Sequence, residues 1–254
     1  DVCPSECDCL GHAISCTTVP FSEIPNLGIY RTPPVRYLQL HSPAFYIDHE
    51  TFNTYSSLIF LDISNSELLL VCRKQNNMLD KLLSFLMEEQ KPFFYFLKNL
   101  QVFDISNNLI SSIEPHCFDG LFSVKHLTIT GNRIRKIAQY GFSGLLNLRK
   151  LNLSSQGISE IKEFAFTNMS KLEVLDLSVN KLSHLEKFTF DGLQNVTYLY
   201  LQENALIYLS SETFSNLKKL LLVVASNYRI CCLATKVVSC FAPPVMIYSS
   251  CTDL

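Results

Sequence analysis

The chain contains no tryptophan, and only 8 of its 254 residues are glycine and 10 are proline. That scarcity, with no repetitive polar tract, excludes collagen-like and low-complexity organisation. No stretch approaches the ~20 apolar residues that cross a bilayer, and the N-terminus has no charged-then-apolar leader. Asp1 is therefore read as a mature or trimmed start. Neither sign of charge dominates, since 21 Lys and Arg against 23 Asp and Glu give a net charge of −2. No nucleic-acid partner is expected, because phosphate binding needs a concentrated basic surface. The 6 histidines (His12, His41, His49, His116, His126, His184) fall singly, outside any H-E-x-x-H frame. Gly141-Phe142-Ser143-Gly144 is only superficially a nucleophile elbow, because its residues serve a turn. The expectation is a non-enzyme without cofactor.

What the chain has is a period. Segments beginning at Leu100, Val124, Leu148, Leu172, Val196 and Leu220 lie 24 residues apart and open with the same apolar spacing. In one it runs Leu172, Leu175, Leu177, Asn180, Leu182, Leu185, Phe190, Leu193. This is L-x-x-L-x-L-x-x-N-x-L, the leucine-rich repeat. A unit this small cannot bury its own apolar face, so units must stack. The expected fold is a repeat solenoid, a horseshoe with a parallel β-sheet on its concave face and irregular or short helical segments on its convex side. Phe118, Phe142, Phe166, Phe190 and Phe214 should form an aromatic spine. Asn108, Asn132, Asn180 and Asn204 should satisfy backbone groups in the turn after each strand.

Looser repeats begin at Val35 and Leu58, which makes eight over 35–230. One carries 18 extra residues, an insertion at about 72–93. Within it Leu79, Leu82, Leu83 and Leu86 have helical spacing, which predicts a short helix ended at Lys91-Pro92.

The 10 cysteines cluster at the ends. Cys3, Cys7, Cys9 and Cys16 lie in a cap over 1–34, and Cys231, Cys232, Cys240 and Cys251 in a second over 231–254. A solenoid needs closed ends, and disulfides hold small caps that lack core. Zinc is not expected, because paired C-x2-C spacings and nearby histidines are missing. Adjacent Cys231 and Cys232 should both reach forward to Cys240 and Cys251, since bonding to each other is strained. Cys72 in the insertion is expected to pair with Cys117. Sequons at Asn152, Asn168 and Asn195 agree with an oxidising, secretory address.

The N-terminal Cys3-Pro4-Ser5-Glu6-Cys7-Asp8-Cys9 resembles the cysteine cap of extracellular leucine-rich-repeat proteins. That resemblance implies pairs Cys3 with Cys9 and Cys7 with Cys16. Most secreted members end in a C-x-C cap followed by tryptophan, which this chain lacks. Its Cys231-Cys232 pair, the following cysteine and Ser249-Ser250-Cys251-Thr252-Asp253-Leu254 resemble the hinge of leucine-rich-repeat G-protein-coupled receptors, closest to the relaxin-receptor-like subgroup. The resemblance implies an ectodomain on the extracellular face of the plasma membrane, binding a peptide or protein hormone and leading into its own transmembrane domain after Leu254. The upstream calcium-binding module of relaxin receptors is not in this sequence. The alternative is a secreted or cell-surface adhesion or immune-recognition protein. Whether two copies pair is left open.

Outward-facing strand positions supply the candidate binding residues. Asp62, Asp104, Glu173, Asp176 and Glu203 suit arginines of a hormone. His126, Lys150, Tyr198 and Tyr200 complete the candidate face. Lys125, Arg149 and Lys150, with Arg133, Arg135 and Lys136 nearby, form a basic patch suited to an acidic peptide or sulfated glycan. A glycan on Asn152 would block the middle of the face and confine a ligand to one flank.

Overall fold

A computed structural model of the chain describes residues 3–18, 20–21, 24, 33–43, 47, 51–68, 94–210, 212–226, 228–233 and 239–241. In chain order the strands are β1 (Asp8–Leu10), β2 (Ala13–Cys16), β3 (Tyr37–Leu40), β4 (Phe60–Asp62), β5 (Val102–Asp104), β6 (Ser112–Ile113), β7 (His126–Thr128) and β8 (Lys136–Ile137). They continue as β9 (Lys150–Asn152), β10 (Glu160–Ile161), β11 (Val174–Asp176), β12 (His184–Leu185), β13 (Tyr198–Tyr200), β14 (Tyr208–Leu209), β15 (Leu222–Val224) and β16 (Ser239–Phe241). One helix, Tyr228–Leu233, lies between the last two.

Eleven strands form one sheet in the order β1-β2-β3-β4-β5-β7-β9-β11-β13-β15-β16. β1 and β2 make an antiparallel hairpin, and every later pairing is parallel. Opposite that sheet run the short ladders β10-β8-β6 and β12-β14. The chain is therefore a parallel β-solenoid, as its period requires. β4 pairs directly with β5, setting Leu61 opposite Phe103, so the inserted residues leave the register intact. The helix expected within the insertion lies outside the described residues.

Each three-residue strand of the long sheet from β4 to β15 turns one central side chain inward and two outward. The inward column of Leu38, Leu61, Phe103, Leu127, Leu151, Leu175, Leu199 and Val223 is buried. Behind it the aromatic spine packs as expected: Phe142 stacks on Phe118 at 5.4 Å and on Phe166 at 5.6 Å, and Phe190 on Phe214 at 6.2 Å. Identical rings at one repeat position fall into register because adjacent turns are related by a nearly constant translation.

The turn asparagines close the backbone accounts. Asn180 Nδ2 donates to the carbonyls of Leu153, Leu177 and Ser178 at 2.9, 3.0 and 3.1 Å. Its Oδ1 accepts from the amides of Gln156, Gly157 and Ile158. Asn108, Asn132 and Asn204 act likewise. In the repeats that begin at Leu58 and Leu148, Ser66 and Gln156 stand at this position. Ser66 Oγ donates to Leu40 O at 2.9 Å, whereas Gln156 donates to Ile129 O but leaves its Oε1 buried without a partner. Gln156→Asn should therefore stabilise the fold by about 1 kcal/mol, the net worth of a satisfied hydrogen bond. A urea titration showing equal or lower stability for the variant would refute this.

The turn into each next repeat brings two backbones into contact. At Gly192, with φ +94°, an added Cβ would lie 3.0 Å from Thr167 Cα, so only glycine fits without displacing the neighbouring turn. Asn168 holds the equivalent place one repeat earlier with φ 68°. Asparagine tolerates the left-handed region better than most residues, which explains why a sequon falls in an exposed turn there.

Both N-terminal disulfides form, Cys3–Cys9 and Cys7–Cys16, in the pairing that the cap resemblance implied. Cys117, Cys231 and Cys232 are each disulfide-bonded. Cys72 and Cys251 lie outside the described residues, as does the side chain of Cys240, so the expected pairings that involve them lie there too.

Candidate functional site

The outward positions of the long sheet form two columns, the second of them half-buried throughout. The first, from the opening residue of each strand, reads Tyr37, Phe60, Val102, His126, Lys150, Val174, Tyr198, Leu222. The second, two residues on, reads Gln39, Asp62, Asp104, Thr128, Asn152, Asp176, Tyr200, Val224.

In the second column the acidic residues are partly structural. Asp62, Asp104 and Asp176 each accept, on Oδ1, the amide of the serine two residues later, at 2.9, 2.8 and 2.9 Å. Asn152 Oδ1 does the same for Ser154 at 3.0 Å. The D-x-S pattern is thus a turn device in which side-chain oxygen satisfies backbone that parallel strands leave open. Asp104 and Asp176 retain a second oxygen without a partner among the described residues.

Asp62 is more deeply held. Burial raises its carboxyl pKa, but the Ser64 amide and hydroxyl and the charge and ring of His41 outweigh that, so the net shift is downward. His41 Nε2 lies 3.3 Å from Oδ2. A lowered carboxyl contributes stability above its ordinary value of 3.8, and that stability is lost as pH falls through the folded-state value. Asp62→Asn should therefore flatten the acid limb of the stability curve below about pH 4. An unchanged slope in thermal melts across that limb would contradict the assignment.

The first column is charged only at its centre. Lys150 Nζ has no partner among the described residues. Beside this column, Lys125 Nζ donates to Gln101 Oε1 at 3.0 Å, and Arg149 pairs with Glu173 at 2.6 Å. Partial burial, then Lys150, Lys125 and Arg149, push the His126 pKa down, against a smaller upward effect of Glu173. The arginine and glutamate offset each other and His126 stays uncharged at neutral pH, so the local excess comes from Lys125 and Lys150.

The basic residues grouped by sequence are divided by the fold. Lys136 belongs to β8 in the opposite sheet, where it and Lys162 bind Glu160. Those two hydrogen bonds, to Lys162 and Lys136, lower the pKa of the partly exposed Glu160 carboxyl. Glu203 occupies the turn beyond β13 with φ 56° rather than either column. Glu173 stands one residue before β11 and serves Arg149.

Two features escaped the sequence reading. Apolar side chains end the first column: Tyr37 and Phe60 rings lie 6.3 Å apart beside exposed Leu10, and Val174, Tyr198 and Leu222 follow Lys150. A cavity of about 580 Å³ opens beside Leu10, Tyr37 and Phe60. The signal was the opening residue of every strand, of which the sequence reading names only His126, Lys150 and Tyr198, because charge drew attention to the neighbours of the rest. The second is a convex ladder of His116, Tyr140 and Phe164, with φ of 60°, 60° and 61°. The amide of each donates to the carbonyl 24 residues on, which compensates left-handed backbone in bulky residues. An aromatic two positions before each of Phe118, Phe142, Phe166 and Phe190 was its trace.

The same turn joins Ser143, His116 and Asp119, but in no catalytic order. Ser143 Oγ and Asp119 Oδ2 both face His116 Nδ1, at 3.2 and 3.4 Å. A relay needs the acid and the nucleophile on different ring nitrogens. Nothing in this arrangement points to catalysis.

A stacked solenoid that presents rigid side-chain columns on one sheet is a recognition scaffold. The leucine-rich-repeat family model matches residues 89–134, 122–182, 146–206 and 172–228, more than half of the sequence. The chain belongs to the leucine-rich-repeat family. No curated protein sequence matches it. Among solved structures it is similar to the chain in a crystal structure of a TLR13–ssRNA13 complex, at 22% identity and a TM-score of 0.61. The match covers 76% of this chain and 27% of that one. At that identity the likeness shows the fold alone.

Proposed function

We propose that this chain is an extracellular ligand-binding ectodomain that receives a peptide or protein hormone on the face of its long sheet, upstream of a seven-helix membrane domain. The observation that carries the binding role is the first column, where uncommitted Lys150 and exposed Tyr198 project from strands fixed on both sides. Rigid presentation lowers the ordering cost of association. The receptor assignment rests on the adjacent Cys231-Cys232 pair and the Ser249–Leu254 segment. Sequons at Asn152, Asn168 and Asn195 fit the same secretory address. The nucleic acid in the similar structure belongs to that protein; here Asp62, Asp104 and Asp176 line the second column and disfavour a polyanion.

The test uses the full-length protein on cells and relaxin-type two-chain peptides as probes. Thr128→Asn completes a sequon with Thr130 in the middle of the second column. The expected results are an apolar run of about 20 residues encoded after Leu254, peptide binding by the parent, and loss of binding when position 128 carries a glycan. A stop codon or a further soluble module after Leu254 would overturn the receptor assignment in favour of an adhesion or immune-recognition protein. Undiminished binding with that glycan in place would overturn the use of this face.

A further inference from the structure

The long sheet's first column changes chemistry along its length. Tyr37, Phe60 and Val102 are apolar, His126 and Lys150 are polar, and Val174, Tyr198 and Leu222 are apolar again. From the geometry we infer that this column recognises an extended peptide segment with a short acidic centre and an apolar side chain at each end. The inference rests on the reading of this face as the ligand surface and supplies its chemistry.

Length comes first. Parallel strands stand about 4.8 Å apart, so the five steps from β4 to β13 place Phe60 and Tyr198 about 24 Å apart. An extended chain rising about 3.3 Å per residue covers that distance with about seven residues. A peptide running across the strands would bring its centre over Lys150 and its ends over the two aromatic groups. The Tyr37–Phe60 end already has a recess, the cavity beside Leu10. Leu10 is 84% exposed and Tyr37 49% exposed, so apolar surface there is available for burial.

Charge comes second. Lys150 carries an ammonium without a partner among the described residues, and Lys125 spends one donor on a neutral amide. Neutral His126 beside them adds a ring that accepts or donates without further charge. A carboxylate over this column gains two cations. One residue-pair away, in the second column, Asp104 and Asp176 present oxygens that nothing among the described residues neutralises. An anion displaced sideways therefore meets repulsion. A uniform polyanion, with a charge every few ångströms and no apolar ends, fits poorly along the whole track, whereas a peptide can confine its acid to the middle. The same two carboxylates suit backbone amides of the peptide as donors. Asn152 projects from the second column, about 6.6 Å along the strand from Lys150, so a glycan there would cover the middle of the track, and the experiment removes that sequon with Ser154→Ala, which keeps Asn152 and its bond to the residue 154 amide.

The experiment selects a phage-displayed library of about seven-residue peptides on the Ser154→Ala chain, which carries no glycan at Asn152, then measures synthetic winners by fluorescence polarisation. Enriched peptides should carry Asp or Glu at the centre and apolar residues at both ends. Their affinity should fall about tenfold or more in Lys150→Ala and in Tyr198→Ala, a typical effect of removing an interface anchor. Tyr140→Ala on the opposite side should leave it unchanged, and Glu→Gln peptides should bind the parent as weakly as intact peptides bind Lys150→Ala. Failure to enrich any peptide, or winners indifferent to Lys150, would overturn the inference. So would heparin oligosaccharide or single-stranded RNA binding that needs Lys125 and Lys150 but not Tyr198. If those results coincide with hormone binding that is lost on glycosylation at position 128, the face remains the ligand surface and only the peptide chemistry falls. Thermal melts matching the parent exclude misfolding as the cause of lost affinity.

Discussion

Asn180→Ala should destabilise the fold by about 4 kcal/mol. The side chain makes three donor and three acceptor contacts with backbone of two consecutive turns. Alanine leaves the Gln156, Gly157 and Ile158 amides without the acceptor they share, where the packed turn admits no replacement. Each stranded buried group costs about 1–3 kcal/mol, and some relaxation onto neighbouring carbonyls keeps the total below their full sum. Asn204→Ala, at a partly exposed site where water can substitute, should cost less. Urea unfolding followed by circular dichroism gives both values. A loss under about 1 kcal/mol for Asn180→Ala would show that the shared acceptor is dispensable.

Phe142→Ala should cost a similar amount, about 4 kcal/mol, for a different reason. The ring is fully buried and stacked on both sides, nearly parallel to Phe118 and Phe166 with interplanar angles of 6° and 11°. Truncation opens a cavity in the middle of the spine, and neighbouring rings cannot collapse into it because each is held by its own repeat. Phe214 stacks on Phe190 at 6.2 Å, has no second ring stacked on it among the described residues, and is slightly exposed, so Phe214→Ala should cost clearly less. Equal losses at the two positions would mean that stacking on both faces adds nothing beyond burial of the ring. Because each repeat leans on its neighbours, the central lesion should also uncouple the two halves. Broadening of the unfolding transition in Phe142→Ala, but not in Phe214→Ala, would report that.

The spine and the asparagine ladder were both legible at a fixed spacing, since equal residues at equal places in stacked units must become neighbours. The serine and glutamine substitutions at positions 66 and 156 were legible as departures, but not their consequences. Ser66 finds a carbonyl within reach, while the longer Gln156 overshoots and strands its oxygen. Side-chain length against a fixed backbone decides between those outcomes, and spacing carries no such information.

The candidate face was half legible. Alternation along a strand tells which residues point outward, so Asp62, Asp104, Lys150, Asp176 and Tyr198 could be named as surface. Their availability could not. One oxygen of each aspartate is committed to a serine amide two residues on, a contact set by how the chain turns after the strand. Arg149 is balanced by Glu173 across adjacent repeats, and Lys136 is carried to the opposite sheet. By itself the sequence determined the stacked repeat and the sorting of side chains into inside and outside, because both follow from periodicities of the covalent chain. Only the tertiary structure decided which outward groups remain free, because charge and hydrogen-bonding capacity are consumed by neighbours one turn away, at distances that spacing does not encode.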